Sequence, residues 1–544
     1  MEINRIEELK ESLYFGQCKQ AVIKGSALTV TADCPAMGKK WIGFAVSYNY
    51  KIEDDKEIYL IRNSTVKSGK KNVRLTTSID LAAFPFRYTH WAVLAVYEED
   101  GDYYGVNLIY KLVKPSTKEF LFGQDSFSKG NDIVFCNRIR GGYLGLTYRE
   151  RGRYDGRLTR LKEYIALSKF NRHKDEYKKR KIYLIYEKLC QKAQDNGYHL
   201  FRYCMENNME EYLDAEIYYV IEKDSVDMKK LAPYADHVLE FMSLKFMLAI
   251  LGASLLISPD SRNHAYIWQN NTSLIAPKLS KKNHIFLGHG VLALKRLNDS
   301  FTARSMKSVL CTVTSDSEAA VVRDELGFEP DRIVNTGYAR FDVLHDTSGD
   351  SKRILMMPTH RSWLFGVERD VFTASEYYRR YMSILNSDRL INLLEEKDAY
   401  LDFYVHPSIK EHTDAFSSVS DRIRVVPYGE TSLDDLMMQS KMLITDYSSI
   451  CWDMYYMDKP ILFYQYDVDK YLETWGSYVD LEKDLPGERT DDTDRLIDMI
   501  GEYADAGFAM KPEYEEGRKD RFAYIDDQNC FRICEVLRKR NYGL

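Results

Sequence analysis

The fold of this chain is decided by the segment Leu443-Ile444-Thr445-Asp446-Tyr447-Ser448-Ser449-Ile450, which predicts a buried strand followed by a polar turn and a helix. Asp446 and Ser448 are residue types that favour helix N-termini, and the apolar residues after them predict a helix that ends before Pro460. A strand-turn-helix of this kind directs backbone N–H groups and the positive end of a helix dipole at one point. The segment therefore predicts a phosphate site, although an ordinary capped helix in a parallel α/β domain has the same pattern.

Apolar, strand-like runs alternate with helical patterns from Lys181 onward. The runs fall into two successive sets, and such alternation is typical of parallel sheets covered by helices. We predict an α/β fold with a GT-B-like pair of Rossmann-like domains facing a cleft, over residues 181–345 and 346–544. Because ligands bind at the carboxyl ends of such strands, the polar residues just after each run are candidate site residues.

The first 180 residues have a different pattern. Six short β-rich runs separated by turn residues predict a small antiparallel β-sandwich over residues 1–115. Between Arg149 and Lys181 there are thirteen Lys or Arg residues and five Asp or Glu residues. Residues 116–180 are therefore predicted to form a basic helical connector. It is either a solvated helix face or a surface that binds an anionic membrane or a phosphate-rich polymer.

Composition excludes several classes of protein. A chain of 544 residues is too long for one core, and its hydrophobic fraction of 45% is that of a globular protein. The formal net charge of −6 argues against a general nucleic-acid-binding protein, so no nucleic-acid partner is predicted. The nine cysteines include no Cys-x-x-Cys pair, which indicates free thiols in a reducing compartment and no zinc site.

Localisation is predicted from two segments. The charged N-terminus lacks the apolar stretch of a signal peptide. The most apolar stretch, Val238 to Ile257, contains Glu240 and Lys245, so a helix followed by a buried strand explains it better than a membrane span. We therefore expect a cytoplasmic protein.

Further polar clusters precede the opening segment, each attached to an apolar run. They are Phe286-Leu287-Gly288-His289-Gly290 with Leu294-Lys295-Arg296, then Gly337-Tyr338-Ala339-Arg340-Phe341-Asp342, Pro358-Thr359-His360-Arg361, and His406-Pro407. In this order the clusters resemble the CDP-glycerol glycerophosphotransferase family, which contains the teichoic-acid polymerases and primases of Gram-positive bacteria and related capsule polymerases. The N-terminal β-domain resembles that of the ribitol-phosphate polymerase branch.

The resemblance covers roughly residues 180 to 490, and this chain departs from the family pattern at two places. His360 stands where the family has an aromatic residue. The stretch Ala339-Arg340-Phe341-Asp342 replaces the usual Pro-Arg-Asn-Asp.

The resemblance implies an enzyme that moves glycerol phosphate or ribitol phosphate from a CDP-polyol to a growing teichoic acid or capsule-type polymer, with release of CMP. It also implies an undecaprenyl-linked polyol-phosphate acceptor, which places the protein peripherally on the anionic inner face of the cell membrane. Two alternatives remain open: a nucleotide-sugar glycosyltransferase of GT-B architecture, and a non-catalytic protein that tethers a polymer. The sequence does not choose between glycerol and ribitol.

The same resemblance assigns roles to residues in these clusters. His289 is the predicted general base, because imidazole titrates near neutral pH, although a lone histidine is more often structural. His406 and Arg361 are the other predicted catalytic residues. The predicted ligands of the donor phosphates are Thr445, Ser448, Ser449, Arg340 and Lys295. For Arg340 a salt bridge to Asp342 or a neighbouring loop is an equal alternative.

No metal ion and no other cofactor is predicted. Asp467-Val468-Asp469 has the spacing of the metal-binding pair found in many nucleotide-sugar transferases. Two carboxylates alone are a weak metal signal, and the family has an acidic segment at this place.

Overall fold

A computed structural model of the protein describes residues 3–48, 57–62, 64–87, 89–111, 120–121, 126–267 and 273–542. The chain divides into two compact units. The first unit contains Met1–Lys174, Met242–Leu251 and Tyr266–Lys281, and the second contains Asp175–Phe241, Gly252–Ala265 and Lys282–Leu544.

In its described residues, the first unit is built on twelve strands that form one hydrogen-bonded sheet. In β3 every second residue is buried, as expected for a strand with one face on a core. The neighbouring strands pair antiparallel, except β2 and β9, which pair parallel. The strands are β1 Ile3–Ile6, β2 Lys10–Lys24, β3 Ala27–Pro35, β4 Lys40–Tyr48, β5 Ile58–Ile61, β6 Thr65–Ser68, β7 Asn72–Asp80, β8 Thr89–Glu99, β9 Asp102–Ile109, β10 Ser126–Lys129, β11 Asp132–Ile139 and β12 Tyr143–Glu150.

Comparison with the predicted elements confirms some and corrects others. The six predicted β-rich runs correspond to β3, β4, β5, β7, β8 and β9 over their described residues. The boundary predicted between residues 115 and 116 lies outside the described residues. The connector predicted as helical over 116–180 is corrected, because β10, β11 and β12 lie within it and pair with the sheet. Its helical part is Arg157–Arg172 and Lys174–Lys179.

The second unit contains two parallel sheets. In the first sheet the strand order is β15-β14-β13-β16-β17-β18-β19, so the chain starts in the middle and reverses direction between β13 and β16. This is the strand order of a doubly wound dinucleotide-binding fold, extended by one strand. The strands are β13 Ile182–Ile185, β14 Glu216–Ile221, β15 Val238–Glu240, β16 Leu255–Ser258, β17 Asn283–Phe286, β18 Leu310–Val313 and β19 Ile333–Asn335.

The second sheet repeats this order with six strands, β22-β21-β20-β23-β24-β25, and its reversal lies between β20 and β23. All four residues of β23 and of β24 are buried, as expected for parallel strands covered on both faces. The strands are β20 Arg353–Met356, β21 Tyr400–Tyr404, β22 Ile423–Val426, β23 Met442–Thr445, β24 Ile461–Tyr464 and β25 Glu488–Thr490. The predicted alternation is therefore confirmed for both sets of strands.

Helices connect the parallel strands. From Asn196 onward their bounds are Asn196–Glu206, Met209–Leu213, Met228–Leu231, Leu244–Gly252, Ala303–Met306, Asp316–Asp324, Arg369–Thr373, Glu376–Leu385, Asp388–Glu396, Leu433–Gln439, Ile450–Tyr456, Val468–Thr474, Thr493–Asp505, Pro512–Arg521 and Asn529–Arg540.

The last helix corrects the predicted domain of residues 346–544. Asn529–Arg540 packs into the core of the first sheet, where Cys530 and Ile533 lie with residues of β13 and β14. The Asp342 carboxylate fixes its start by accepting hydrogen bonds from the backbone N–H groups of Asn529 and Cys530. The first half of the second unit therefore includes the C-terminal helix.

The stretch proposed to be helical and then extended is confirmed, since Leu244–Gly252 is a helix and Leu255–Ser258 is strand β16. No helix in the described part of the chain is long and apolar enough to cross a membrane. All nine cysteines are free thiols, and seven of them are buried.

Candidate active site

Polar residues of the second unit gather at the carboxyl ends of its parallel strands. His289 follows β17 and Asp260 follows β16, next to the reversal of the first sheet. Arg361 follows β20 and Ser448 follows β23, next to the reversal of the second sheet. These are the places where doubly wound sheets bind ligands.

The turn that carries His289 requires its two flanking glycines. Gly288 has a φ of 69°, and a Cβ atom there would lie 2.7 Å from the Tyr338 hydroxyl oxygen. A Cβ atom on Gly290 would lie 2.8 Å from Ser449 Oγ, which belongs to the second half. The glycines therefore let this turn approach the start of the helix Ile450–Tyr456.

The imidazole of His289 lies between two carboxylates. Its Nδ1 is 2.9 Å from Asp195 Oδ2 and its Nε2 is 3.0 Å from Asp260 Oδ1. The imidazole remains 38% exposed, whereas the two carboxylates are 11% and 6% exposed. Burial opposes the charged form, but the hydrogen bonds to Asp195 and Asp260 outweigh it and raise the pKa of His289 to about 10. His289 is therefore an imidazolium at neutral pH in this arrangement.

Asp195 is held firmly at the start of the helix Asn196–Glu206. Its Oδ1 accepts from the backbone N–H of Asn196 at 2.7 Å, and Arg340 Nη1 lies 3.4 Å from the same oxygen. Although burial opposes ionisation, the hydrogen bond from His289 and the positive charges of His289 and Arg340 lower the pKa of Asp195 to about 2. Asp195 is therefore an ionised partner of His289 Nδ1.

Asp260 is held by a strained turn of the backbone. Lys188, Leu189 and Cys190 all have left-handed φ values, of 43°, 60° and 61°. Consecutive left-handed residues other than glycine are rare, and each costs roughly 1–3 kcal/mol. The turn directs the backbone N–H of Lys188 at Asp260 Oδ2, at 2.6 Å. Strain of this kind persists where a functional arrangement needs it.

The neighbouring Glu187 fills an anion-binding position of the first sheet. Its carboxylate accepts from the backbone N–H groups of Gln194, Asp195 and Tyr198, at the start of the helix Asn196–Glu206. Burial and the charge of Asp195 raise the pKa of Glu187 to about 8. Because a protein carboxyl group occupies these donors, they are not available to a phosphate.

A cationic cluster joins the two halves: Lys188 and Lys295 supply its charge, and the neutral imidazoles of His360 and His406 lie beside them. Lys295 Nζ lies 3.4 Å from the centre of the Trp475 ring, and the rings of His360 and His406 are 4.4 Å apart. Burial, then the charges of His360, Lys295 and Lys188, lower the pKa of His406 to about 3. Among the described residues neither lysine forms an ion pair, although the charge of Lys188 also acts on Glu187 and Asp195.

Two polar atoms beside this cluster lack a partner among the described residues. They are Thr359 Oγ1 and His360 Nδ1, which are both buried. Burial and the charges of Lys295 and Arg361 lower the pKa of His360, so its ring is neutral and offers one donor and one acceptor. Since unpaired buried polar atoms are costly, a polar ligand group would be bound here.

Arg361 does not face this cluster. Its guanidinium group is 1% exposed and forms ion pairs with Asp446 and Asp467, with nitrogen–oxygen distances of 2.8 and 2.7 Å. It also donates to the backbone oxygen of Thr359. The predicted catalytic role of Arg361 is therefore corrected: the side chain ties together the loops after β20, β23 and β24.

Arg340 is also committed to protein groups. It makes two hydrogen bonds to Asp453, at 2.6 and 3.0 Å, and donates to the backbone oxygen of His289 at 2.7 Å. Its side chain is 8% exposed. The predicted phosphate contact is corrected in favour of the salt-bridge alternative, although the partner is Asp453 and not Asp342. Arg340 thus fixes the His289 turn against the second half.

The opening segment forms the predicted strand, turn and helix, but its hydroxyl groups differ in their availability. Thr445 Oγ1 is buried and donates to the backbone oxygen of Met357, so its predicted phosphate contact is corrected. Ser448 is half-buried and Ser449 is exposed at the start of the helix Ile450–Tyr456. These two serines remain candidate ligands.

The Asp467-Val468-Asp469 pair is explained by other contacts. Both carboxylate oxygens of Asp467 accept from Arg361, and the hydroxyl of Tyr447 lies 3.1 Å from one of them. Within the described residues, no group of three His, Cys, Asp or Glu side chains is arranged to hold a metal ion.

Several site residues escaped the sequence analysis. Asp195 and Asp260 contact His289, Lys188 contributes to the cationic cluster, and Asp453 holds Arg340. Asp260 could have been found, because it follows a buried parallel strand. The pairing of Asp195 with a histidine 94 residues later has no local signal.

Comparisons with known proteins agree with the motif order. A sequence model described as CDP-Glycerol:Poly(glycerophosphate) glycerophosphotransferase matches residues 166–539. The chain belongs to this family. The family predicted from the motifs is therefore confirmed, and with it an enzyme family of polyol-phosphate transferases.

Curated relatives and a solved structure extend this finding. The chain is 28% identical over 361 residues to the "Minor teichoic acid biosynthesis protein GgaB" of Bacillus subtilis (strain 168), which covers 64% of this chain and 38% of that protein. It is 29% identical over 270 residues to the "Teichoic acid glycerol-phosphate transferase" of Staphylococcus aureus (strain NCTC 8325 / PS 47), covering 44% and 63% respectively. The chain therefore spans less than two thirds of the length of either relative. The structure of the Wall Teichoic Acid Polymerase TagF is similar with a TM-score of 0.51 and 18% identity, over 71% of this chain and 97% of that one, which indicates a shared fold.

Proposed function

We propose that the protein transfers glycerol phosphate or ribitol phosphate from a CDP-polyol to a hydroxyl group of a teichoic acid or capsule-type polymer and releases CMP. The observation that carries this proposal is the imidazole of His289, oriented by Asp195 and linked to the cationic cluster through Asp260 and the Lys188 turn. Phosphoryl transfer needs positioning, a proton acceptor and positive charge near the phosphates.

The chemistry assigns a role to each part of this arrangement. The acceptor oxygen forms a bond to the phosphorus that carries the polyol, and its proton passes to Nε2 of His289. The bond between that phosphorus and the bridging oxygen breaks, and the electron pair stays on CMP. Lys295 and Lys188 stabilise the negative charge that develops on the leaving phosphate. No residue in this sequence of steps needs to form a covalent intermediate.

The donor is proposed to bind in the second half of the unit. His360 and His406 lie together there, next to Thr359 Oγ1, which has no partner among the described residues. Lys295, from the loop after β17 of the first sheet, reaches Trp475 of the second half. In the first half, Glu187 already occupies the N–H groups at the start of the helix Asn196–Glu206. A nucleoside diphosphate would therefore find donors and positive charge at the cationic cluster, around the second sheet and the loops that face it.

Two finer features of the fold also remain proposals. The two parallel sheets would form a GT-B-like pair facing a cleft, which the Arg340–Asp453 ion pair and the close approach of Gly290 to Ser449 support. The β-strands of the first unit would form a sandwich, since residues from β3 and β7 share one core with residues from β4, β8 and β12.

The proposed function is tested by assaying the protein with CDP-glycerol and CDP-ribitol, and with UDP-sugars as the competing donor class. A polyol-phosphate acceptor with a short lipid or soluble aglycone is supplied. We expect release of CMP with at least one CDP-polyol and no release of UDP. Release of UDP without release of CMP would establish the glycosyltransferase alternative.

In the same assay, Lys295→Gln is expected to raise the KM for the CDP-polyol roughly 10- to 100-fold, as loss of a charge-assisted hydrogen bond would. The KM for the acceptor should change little. The matched control is Arg296→Gln, since the neighbouring Arg296 pairs with Glu325 at the surface. If Lys295→Gln and Arg296→Gln raised the KM for the CDP-polyol equally, the assignment of Lys295 to the donor site would be contradicted.

We further propose that the helix Arg157–Arg172 binds the anionic inner face of the cell membrane, where a lipid-linked acceptor would lie. This helix has charged residues on its buried face: it buries Arg160, Glu163 and Ala166. The Glu163 carboxylate accepts hydrogen bonds from the hydroxyl groups of Tyr266 and Ser273. The polar residues that would normally face solvent are therefore used inside the first unit.

Its exposed face combines apolar and basic residues. Leu158, Leu161 and Ile165 share one side of the helix and are 77%, 45% and 42% exposed. The exposed charged side chains of the helix are Arg157, Lys162, Lys169 and Arg172, while its one acidic residue is buried. Such a face suits the interface of an anionic bilayer, where each basic residue contributes on the order of 1 kcal/mol.

Replacement of Leu158, Leu161 and Ile165 together by Gln is expected to lower binding to phosphatidylglycerol vesicles by at least tenfold in co-sedimentation. Wild-type binding should weaken with salt and be absent on phosphatidylcholine. The control replaces Lys179, Arg180 and Lys181 by Gln. This second basic run contributes less, because Arg180 pairs with Glu216 and Lys181 donates to a backbone oxygen. If the control variant loses binding and the apolar variant does not, the helix is not the membrane contact.

A further inference from the structure

The imidazole of His289 has two carboxylate partners, whereas a general base needs one ring nitrogen without a proton. Asp195 holds Nδ1 and Asp260 holds Nε2, at 2.9 and 3.0 Å. In a serine-hydrolase-type arrangement, one carboxylate orients the imidazole and the other nitrogen faces the reacting hydroxyl group. In this protein a second carboxylate lies where that hydroxyl group would be.

Asp195 has the properties of the permanent partner. It caps the helix Asn196–Glu206 by accepting from the N–H of Asn196, and Arg340 Nη1 lies 3.4 Å from the same oxygen. Arg340 in turn is locked by Asp453 and by the backbone oxygen of His289. Moving Asp195 would break the helix start and this ion-pair network together.

Asp260 has alternatives to His289. Its Oδ2 accepts from the N–H of Lys188, and His264 Nδ1 lies 3.2 Å from Oδ1, the same oxygen that contacts His289. If a hydroxyl group displaced Asp260 from Nε2, Oδ2 of the carboxylate would still accept from the N–H of Lys188, with His264 Nδ1 close to its other oxygen. The imidazole of His289 is 38% exposed, so a substrate hydroxyl group can reach the ring.

We propose that Asp260 is a positioning residue that occupies the place of the acceptor hydroxyl group at His289 Nε2 until the acceptor binds. This inference rests on the proposed transfer reaction. As the acceptor hydroxyl group displaces Asp260, the Nε2 proton leaves to solvent and the neutral nitrogen accepts a hydrogen bond from the hydroxyl group. During transfer the hydroxyl proton moves to Nε2, and Asp260 then stabilises the imidazolium again.

The charges around His289 determine how far the pKa of His289 should change when the charge of Asp260 is removed. Asp195 and Asp260 favour the imidazolium, while Arg340 and the turn of Lys188 bring positive charge from the neighbouring loops. His264 faces the far side of Asp260. An opposite charge in hydrogen-bond contact shifts a pKa by roughly 1–3 units. Removal of one carboxylate charge should therefore be measurable.

The first measurement needs no substrate. The full chain is labelled at histidine with ¹³C and ¹⁵N, and the His289 signal is assigned by its loss in His289→Ala. We expect wild-type His289 to titrate well above pH 7, near the value of about 10 imposed by the two carboxylates. Asp260→Asn should lower this pKa by at least one unit, while Asp236→Asn, at an exposed position, should leave it unchanged. Titration of wild-type His289 near 6.5 would overturn the proposal, even if the variant failed to fold.

The second measurement is the pH profile of kcat/KM for the acceptor. In Asp260→Asn the acidic limb should move at least one unit to lower pH, so activity near pH 6 rises relative to the wild type. Asp195→Asn should instead lower kcat roughly 10²- to 10⁴-fold at every pH, because the orienting partner is lost. Coincident profiles for the wild type and Asp260→Asn would overturn the proposal. A wild type inactive with both CDP-polyols, but with the expected NMR titrations, would overturn the proposed function and not the pairing of His289.

Discussion

His289→Ala is expected to lower turnover of the CDP-polyol roughly 10²- to 10⁴-fold, the range typical of a lost general base. The residual rate would come from the cationic cluster and the binding of both substrates, which the substitution leaves in place. The fold should persist, because Asp195 retains Arg340 and the N–H of Asn196. The measurement is the rate of CMP release at saturating donor and acceptor.

The matched control is His345→Ala. His345 is an exposed histidine of the same unit, and its ring contacts the backbone oxygen of Val343. Its removal should leave turnover unchanged. Near-normal turnover of His289→Ala with the preferred CDP-polyol would contradict the base assignment, whereas equal binding of CMP by both variants and the wild type would show that only the chemical step was lost.

The strands of the second unit could be predicted from sequence because their patterns are local. Each parallel strand is buried on both faces, so it reads as a short apolar run, and the turn after it reads as a polar cluster. The start of each doubly wound half followed from these runs. The return of Asn529–Arg540 to the first half could not be predicted, since it depends on contacts with Asp342 almost 200 residues earlier.

In the candidate site, too, local features could be predicted from sequence, whereas long-range contacts could not. Position after a strand correctly placed His289, Lys295 and His406 at the carboxyl ends of the sheets. Spacing alone does not say whether a charged side chain is available to a ligand or is buried beneath the strand ends. Arg340 was assigned to phosphate and Arg361 to catalysis from their motifs, but their carboxylate partners come from segments 113 and 106 residues away.

The buried Arg361 leads to the largest expected effect on stability. Its guanidinium group is the partner of two carboxylates, Asp446 and Asp467, and all three side chains are at most 10% exposed. Removing one partner of a buried ion pair typically costs about 3–5 kcal/mol, because the remaining charge stays buried and uncompensated. Arg361→Ala is therefore expected to lower the unfolding free energy of the second unit by about that amount, measured by urea titration of its circular dichroism signal. The surface control is Arg369→Ala, whose exposed pair with Asp414 should contribute less than about 1 kcal/mol.

The decisive comparison uses a variant in which Arg361 and both of its carboxylate partners are replaced by uncharged residues. In Arg361→Met combined with Asp446→Asn and Asp467→Asn, no uncompensated charge remains, so much of the stability lost in Arg361→Ala should return. A phosphate-binding arginine would behave differently: Arg361→Ala would fold normally, its donor KM would rise, and neutralising the two carboxylates would not restore it. Because Arg361 joins the loops after β20, β23 and β24, the structural role predicts that activity in these variants follows the folded fraction. A folded, stable Arg361→Ala with a greatly raised donor KM would instead return this arginine to the phosphate site.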